Sequence, residues 1–206
     1  MKTIIHTEDN GRESVIIYIP DVLPLNKKSQ LLDCLKSLNY KRGYNYEGKQ
    51  LSREHLWFQE DNKYFCESWK ERYDRWTSNT YPSAILDIQN HIQSYISNLP
   101  LPHKPIINSC LINYYKDGTN FIAAHRDNEI SFGKEPTIIG ISIGAKRSLI
   151  LKHINKDLEY TLELADNSIF IMAGASQLYF LHEIPRDMDC LQERWSLTFR
   201  EYINKI

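Results

Sequence analysis

After Pro105 the chain breaks into short runs of strand-forming residues, IINSCLINYY, TIIGISIG, RSLILKHI, LEYTLEL, SIFIMAG, QLYFLHEI and RWSLTFREY, separated by turn residues such as KDGTN. Roughly six to eight short strands at this spacing, with few helical patterns between them, predict an antiparallel sandwich or jelly roll. This run of strands constrains the fold more than any other feature.

The first half reads differently. VIIYI at Val15 to Ile19 is a strand candidate. After Pro20 and Pro24 the segment SQLLDCLKSL places Leu31, Leu32, Leu35 and Leu38 at helical spacing, with Ser29 as its expected N-cap. Ser83 to Ile96 repeats that spacing with Ile85, Ile88, Ile92 and Ile96, and the prolines at 100, 102 and 105 end it. Between the two helices, Tyr40 to Tyr81 is rich in aromatics and charges, including Tyr44, Tyr46, Trp57, Phe58, Tyr64, Phe65, Trp69, Tyr73 and Trp76, with weak periodicity; it reads as loops and short strands covering something. The expected fold class is mainly β with flanking helices (α+β). It would form one domain over residues 1–206, with a jelly-roll core at about 106–203 and a lid at about 40–80.

With 25 basic against 26 acidic residues, no global basic field announces a nucleic-acid partner, so any such binding would use a local groove. Cys34, Cys66, Cys110 and Cys190 include no CxxC pair, which argues against a zinc knuckle and a disulfide framework. No apolar run approaches a membrane span or a secretory core. A soluble intracellular protein, cytoplasmic or nuclear, is expected.

Within FIAAHRDNEI, His125 and Asp127 are two apart. With seven histidines one such pair is unsurprising by chance, at about one in twenty each, and His6-Thr7-Glu8, in a polar stretch without a strand pattern, reads as the accident. Alternate residues of an extended segment point the same way, so His125 and Asp127 can share one metal. His182, in an apolar strand candidate downstream, offers a third ligand. Two histidines and a carboxylate on one face suit a non-heme Fe(II) oxygenase. Arg194 and Arg200 bracket an alternating strand, so both project to the side of Ser196 and Thr198; a barrel interior rarely admits two arginines unless carboxylates meet them.

The blocks LINYYKDGTNFIAAHRDNE, ISIGAKRSLILKH, LHEIP and RWSLTFRE together resemble the AlkB family of Fe(II) and 2-oxoglutarate-dependent dioxygenases, closest to its DNA-repair members, over about Asn108 to Tyr202. The resemblance implies that His125, Asp127 and His182 are catalytic metal ligands. Arg194 would bind the distal carboxylate of 2-oxoglutarate, and Asn113, Tyr115, Thr198 and Arg200 would complete the cosubstrate site. It also implies Glu129 beside the substrate base. The implied activity is oxidative dealkylation of N-alkylated bases such as 1-methyladenine and 3-methylcytosine in DNA or RNA, using molecular oxygen and releasing succinate and formaldehyde. A buried site would require a single strand or a flipped base.

Over the lid the resemblance loosens to Ser52-Arg53, Trp57-Phe58-Gln59 and Tyr64-Phe65-Cys66. Tyr64 is the first candidate for stacking on the base and Trp57 the alternative, with Tyr44 or Tyr46 as a wedge. Arg53 and Arg126 are the candidate phosphate contacts at the mouth. Lys41, Arg42, Lys70, Arg72, Arg75, Lys146 and Arg147 read as a solvated mixed-charge surface. Neither a membrane nor an obligate protein partner is implied, and a monomer is expected. Asp127→Ala is expected to abolish turnover and spare the fold. Two other readings stand: an oxygenase of a protein or small molecule, and a jelly-roll binding module without catalysis.

Overall fold

The structure, a computed structural model, describes residues 1–45, 47–66 and 76–203. Tyr46, Trp69, Lys70, Arg72, Tyr73 and Arg75, singled out above, lie outside the described residues. In chain order the elements are β1 (Lys2–Thr7), β2 (Glu13–Ile19), α1 (Leu25–Ser37), β3 (Glu54–Gln59), α2 (Ser83–Ile96), β4 (Ser109–Tyr115), β5 (Ile122–His125), α3 (Glu129–Phe132), β6 (Ile138–Gly144), β7 (Arg147–His153), β8 (Glu159–Leu164), β9 (Ser168–Gly174), α4 (Ser176–Tyr179), β10 (Phe180–Ile184) and β11 (Arg194–Arg200).

The strands form two antiparallel sheets, a larger one in the order β1-β2-β9-β6-β11-β4-β3 and a smaller one in the order β5-β10-β7-β8. They are the two faces of the expected jelly roll. Period-two alternation explains why the central strands of the large sheet look apolar throughout: both of their faces are covered. In β11, Trp195, Leu197 and Phe199 face the side where α1 and α2 bring Leu31, Leu35, Ile85, Ile88, Ile92 and Ile96. The alternate residues Arg194, Ser196, Thr198 and Arg200 face the other sheet, and all seven residues of β11 are buried. In β4 likewise, Cys110 and Ile112 join the helix-side core. Tyr115 turns inward to meet Leu149, Leu151, Phe170 and Phe180 between the sheets. Gly140 of β6 is required here, because a Cβ would sit 2.0 Å from the ring of Phe170.

Three sequence expectations change. α1 starts at Leu25, directly after Pro24 at φ −55° and ψ 149°, with no side-chain cap, so Ser29 lies inside the helix rather than capping it. Residues 2–7, read as patternless, form an edge strand paired with β2; an edge strand exposed on much of its surface has no need of an apolar face. In QLYFLHEI only Phe180 onward is strand, since the preceding residues make the single turn α4. Among the described residues no helix is long and apolar enough to cross a membrane.

Candidate active site

His125 closes β5 and lies opposite His182 of β10 in the ladder, with ring centroids 4.2 Å apart. Asp127 follows two residues later. Its Oδ1 is 3.8 Å from Nε2 of each histidine, and the three candidate ligand atoms lie within 4.8 Å of one another. The residues read from the sequence are thus brought to one point. Nδ1 of His125 lies 2.9 Å from the Ala123 carbonyl, which assigns the proton to Nδ1 and leaves the Nε2 lone pair toward Asp127. Oδ2 of Asp127 accepts from Nε of Arg200, and both side chains are almost wholly buried.

Electrostatics favour the ligand forms of all three. Burial, reinforced by the charge of His125, pushes the His182 pKa down to about 3. Burial also lowers His125. For Asp127 burial alone would raise the pKa, but Arg200, His182 and His125 outweigh it and hold the carboxyl below its ordinary range. Near pH 7 the set is two neutral imidazoles and one carboxylate, the donor set suited to Fe(II) with open positions.

The triad opens into a cavity of about 370 Å³. One wall is polar, with Asn113 and Tyr115 of β4 and Ser196, Thr198 and Arg200 of β11, placed by the register that sets Arg194 opposite Tyr115 and Ser196 opposite Asn113. Arg194 does not line the cavity but is fully buried, its guanidinium 5.1 Å from the Tyr115 ring centroid. Its Nε donates to Ser142 Oγ at 2.9 Å, while Nη1 and Nη2 have no hydrogen-bond partner among the described residues. Burial lowers its pKa, yet a guanidinium stays charged. A buried, half-satisfied fork is a geometry a carboxylate completes with two parallel hydrogen bonds, so the residues present fit a dicarboxylate such as 2-oxoglutarate. Arg53, also lowered by burial, lines the same cavity and donates from Nε to Asn113 Oδ1 at 2.8 Å.

The substrate side departs from the sequence reading. Trp57 is fully buried and walled off, its Nε1–H donating to the Lys63 carbonyl and its ring packed on Phe65, Phe132 and Tyr202. It is core, and a base cannot reach it. Tyr64 is half-buried and does not line the cavity. The aromatic wall is made by Phe65 and Trp76, stacked at 4.5 Å with 30° between their planes, and His55 extends the pile behind Trp76. The sequence held no signal for choosing Phe65 over its neighbours, because a loop has no period to tell inward from outward. Glu129 is exposed in the first turn of α3, facing a surface groove with Ile130 and Lys134 rather than the cavity. Arg126 lines the mouth and reaches the Leu178 carbonyl at 3.4 Å. Ser52, just before β3, is tied to Phe121, just before β5, donating to its carbonyl and accepting from its amide. Tyr44 is about half exposed, away from the cavity lining. Arg42 and Lys146 pair with Glu54 and Glu163 on the surface. Arg147, read as surface, is instead fully buried, donating to the carbonyls of Asp117, Asn120 and Pro185 and lying 5.7 Å from the centroid of the Tyr115 ring.

The pair dismissed as accidental also gains a partner. His6, Glu8 and His153 bring their ligand atoms together in a second cluster. The Asn155 amide donates to Nδ1 of His153 at 3.1 Å, so the proton sits on Nε2 and is donated to Glu8 at 2.8 Å, while Lys156 occupies the other carboxylate oxygen at 2.9 Å. Proton donors already fill this site, and it reads as a clasp between the β1–β2 and β7–β8 turns rather than a metal centre.

Residues 15–200 match the family model of the 2OG-Fe(II) oxygenase superfamily. Among curated proteins the chain is 29% identical over 161 residues to the alpha-ketoglutarate-dependent dioxygenase alkB homolog 3 of Mus musculus, covering 64% of this chain and 56% of that protein. It is 34% identical over 104 residues to the DNA oxidative demethylase ALKBH2 of Bos taurus, covering 47% of this chain and 37% of that protein. The match therefore spans about half, or less, of these relatives' own length. Among solved structures, a Trichoplax adhaerens prolyl hydroxylase in complex with a peptide fragment of hypoxia inducible factor aligns with a TM-score of 0.61 at 13% identity, over 92% of this chain and 84% of that one, a likeness of fold. Together with the triad and the jelly roll, the matched family model places this chain in the 2OG-Fe(II) oxygenase superfamily, whose chemistry uses Fe(II), 2-oxoglutarate and oxygen.

Proposed function

We propose that this chain is an oxidative dealkylase of N-alkylated nucleobases such as 1-methyladenine and 3-methylcytosine, in DNA or RNA. The observation that carries the reading is the cavity itself, whose lining joins the stacked Phe65–Trp76 pair to the His-Asp-His set. Its volume lies at the lower end of the range for small-molecule sites, enough for a small dicarboxylate and one planar base but not for a duplex. The substrate would be a single strand or a flipped nucleotide, stacked on the aromatic wall. The similarity to proteins named as DNA oxidative demethylases supports the same substrate class.

His125, Asp127 and His182 would hold the iron, Asp127 kept anionic by Arg200. Arg194 would take the distal carboxylate of 2-oxoglutarate, with Tyr115, Asn113 and Thr198 along its length. When bound, the iron and cosubstrate supply an oxidation in which one oxygen atom of O2 enters the N-methyl C–H bond and the other enters succinate as CO2 leaves. The hydroxymethyl group then departs as formaldehyde. The protein's own part is placement and dryness: the apolar flank of Leu111, Ile122, Ile138, Leu149, Phe170 and Ile184 keeps water from the reacting methyl group. Arg53 and Arg126, at the cavity, would meet the phosphates beside the base.

The test is succinate formation from 2-oxoglutarate with and without a methylated oligonucleotide, across a salt series. Stimulation by methylated but not unmethylated strands, weakening as salt rises, is expected. Succinate formation indifferent to methylated bases would point to a protein or small-molecule substrate, and none at all in folded, iron-loaded protein would leave a binding module.

A further inference from the structure

We infer that Gln177, which no sequence motif singled out, is a positioning residue for the metal carboxylate, fixing the backbone of Asp127 from α4. The inference rests on the metal role of the triad. β5 ends at His125, and its pairing with β10 runs only from Ile122 to His125 with an irregularity between His182 and Ile184. The amide of Asp127 therefore lies past the end of the ladder, where no strand neighbour holds it. Gln177 supplies the missing acceptor: its Oε1 takes the Asp127 N–H at 2.9 Å, across fifty residues of sequence.

The orientation of this amide side chain is determined by its surroundings. Turned over, its NH2 would face the Asp127 N–H, donor against donor; as placed, Nε2 faces the Met172 sulfur at 3.9 Å. Gln177 is 5% exposed, so solvent does not substitute for it readily. The neighbouring side chain joins the same turn, since Arg126 reaches the Leu178 carbonyl. α4 runs directly into β10, which carries His182. One short turn thus connects the Asp127 backbone to the strand of the distant histidine. With the peptide fixed by Gln177 and Oδ2 held by Arg200, Oδ1 is the oxygen left facing both imidazoles.

The experiment is Co(II) titration of wild type, Gln177→Met, Gln177→Glu and a His125→Ala control, followed by visible absorption, beside melting curves of the metal-free proteins. Met keeps the length and apolar volume but accepts no comparable hydrogen bond; Glu retains an acceptor oxygen whether or not it is protonated. Gln177→Met should bind Co(II) about ten- to a hundredfold more weakly, the range for losing an outer partner of a ligand, with a changed band shape. Gln177→Glu should restore wild-type affinity. A Gln177→Met protein with wild-type Co(II) affinity, even if it melts lower, would overturn the inference by reducing Gln177 to a fold residue. If wild type itself took up no Co(II), the metal reading would fall and this inference with it, whereas Co(II) binding without demethylation would leave it standing and count only against the substrate.

Discussion

Arg194 is the residue whose replacement separates a binding role from a structural one most cleanly. Among the described residues its Nη1 and Nη2 are buried without a geometric hydrogen-bond partner, while Nε donates to Ser142 and the guanidinium lies against the Tyr115 ring. Two charge-assisted hydrogen bonds to a carboxylate contribute about 1.5–3 kcal/mol each. Arg194→Met should therefore weaken 2-oxoglutarate binding by about 3–6 kcal/mol, or roughly two to four orders of magnitude at about 1.4 kcal/mol per tenfold. In the ligand-free protein the sign reverses. Removing a buried, half-satisfied charge offsets the lost Ser142 bond, and the variant should be more stable than wild type by about 1–3 kcal/mol, raising its melting temperature by about 2–4 °C per kcal/mol in a domain of this size. The assay is isothermal titration of 2-oxoglutarate into Mn(II)-loaded protein, paired with melting curves with and without the cosubstrate. Wild type should gain stability from 2-oxoglutarate, and the variant should start higher and gain nothing. Binding within threefold of wild type, or a ligand-free variant that melts well below it, would refute the reasoning.

Three other perturbations follow from the structure. Asp127→Ala removes the anion facing a buried Arg200, so besides losing Co(II) binding it should cost about 3–5 kcal/mol in a denaturant titration; a variant as stable as wild type would instead support the sequence expectation that the change spares the fold, and Asp127→Asn is the gentler variant for activity work. For Glu8, burial alone would raise the pKa, but hydrogen bonds from Lys156 and His153 hold it below its ordinary value. A carboxyl lowered on folding stabilises above its unfolded pKa of about 4.3, and that stability is lost as pH falls through the folded value. Glu8→Gln should lower the melting temperature at pH 7 and converge on wild type in strong acid; an equal deficit at both pH values would contradict the clasp. Trp76→Leu should raise KM for a methylated oligonucleotide about tenfold, since stacking on a base contributes about 1–3 kcal/mol, while 2-oxoglutarate affinity measured by titration stays put.

The parts legible in the sequence were those with a period or a fixed order. Alternation revealed the strands, and it placed Arg194, Ser196, Thr198 and Arg200 on one inward face. The order His125, Asp127, His182 survived because β5 and β10 are ladder partners. Features that depend on contacts between distant segments were not legible. Arg147 occupies an inward position of an alternating strand, but only the carbonyls of Asp117, Asn120 and Pro185 explain why a cation is tolerated there. Phe65 and Trp76 emerge from irregular backbone, and Trp57, the alternative stacking candidate after Tyr64, sits in the strand beneath them. β1 was missed because an exposed edge strand carries no apolar face, and the clasp of His6 and Glu8 with it.

The central claim is that His125, Asp127 and His182 turn 2-oxoglutarate and oxygen into demethylation of a base held against the Phe65–Trp76 wall. Mass spectrometry of a short strand carrying 1-methyladenine or 3-methylcytosine, incubated in air with protein, Fe(II), ascorbate and 2-oxoglutarate, tests it directly. The account predicts loss of the methyl group with wild type only when 2-oxoglutarate is present, and none with His125→Ala. A strand that stays methylated while succinate accumulates, or that loses its methyl group equally with His125→Ala, would contradict it.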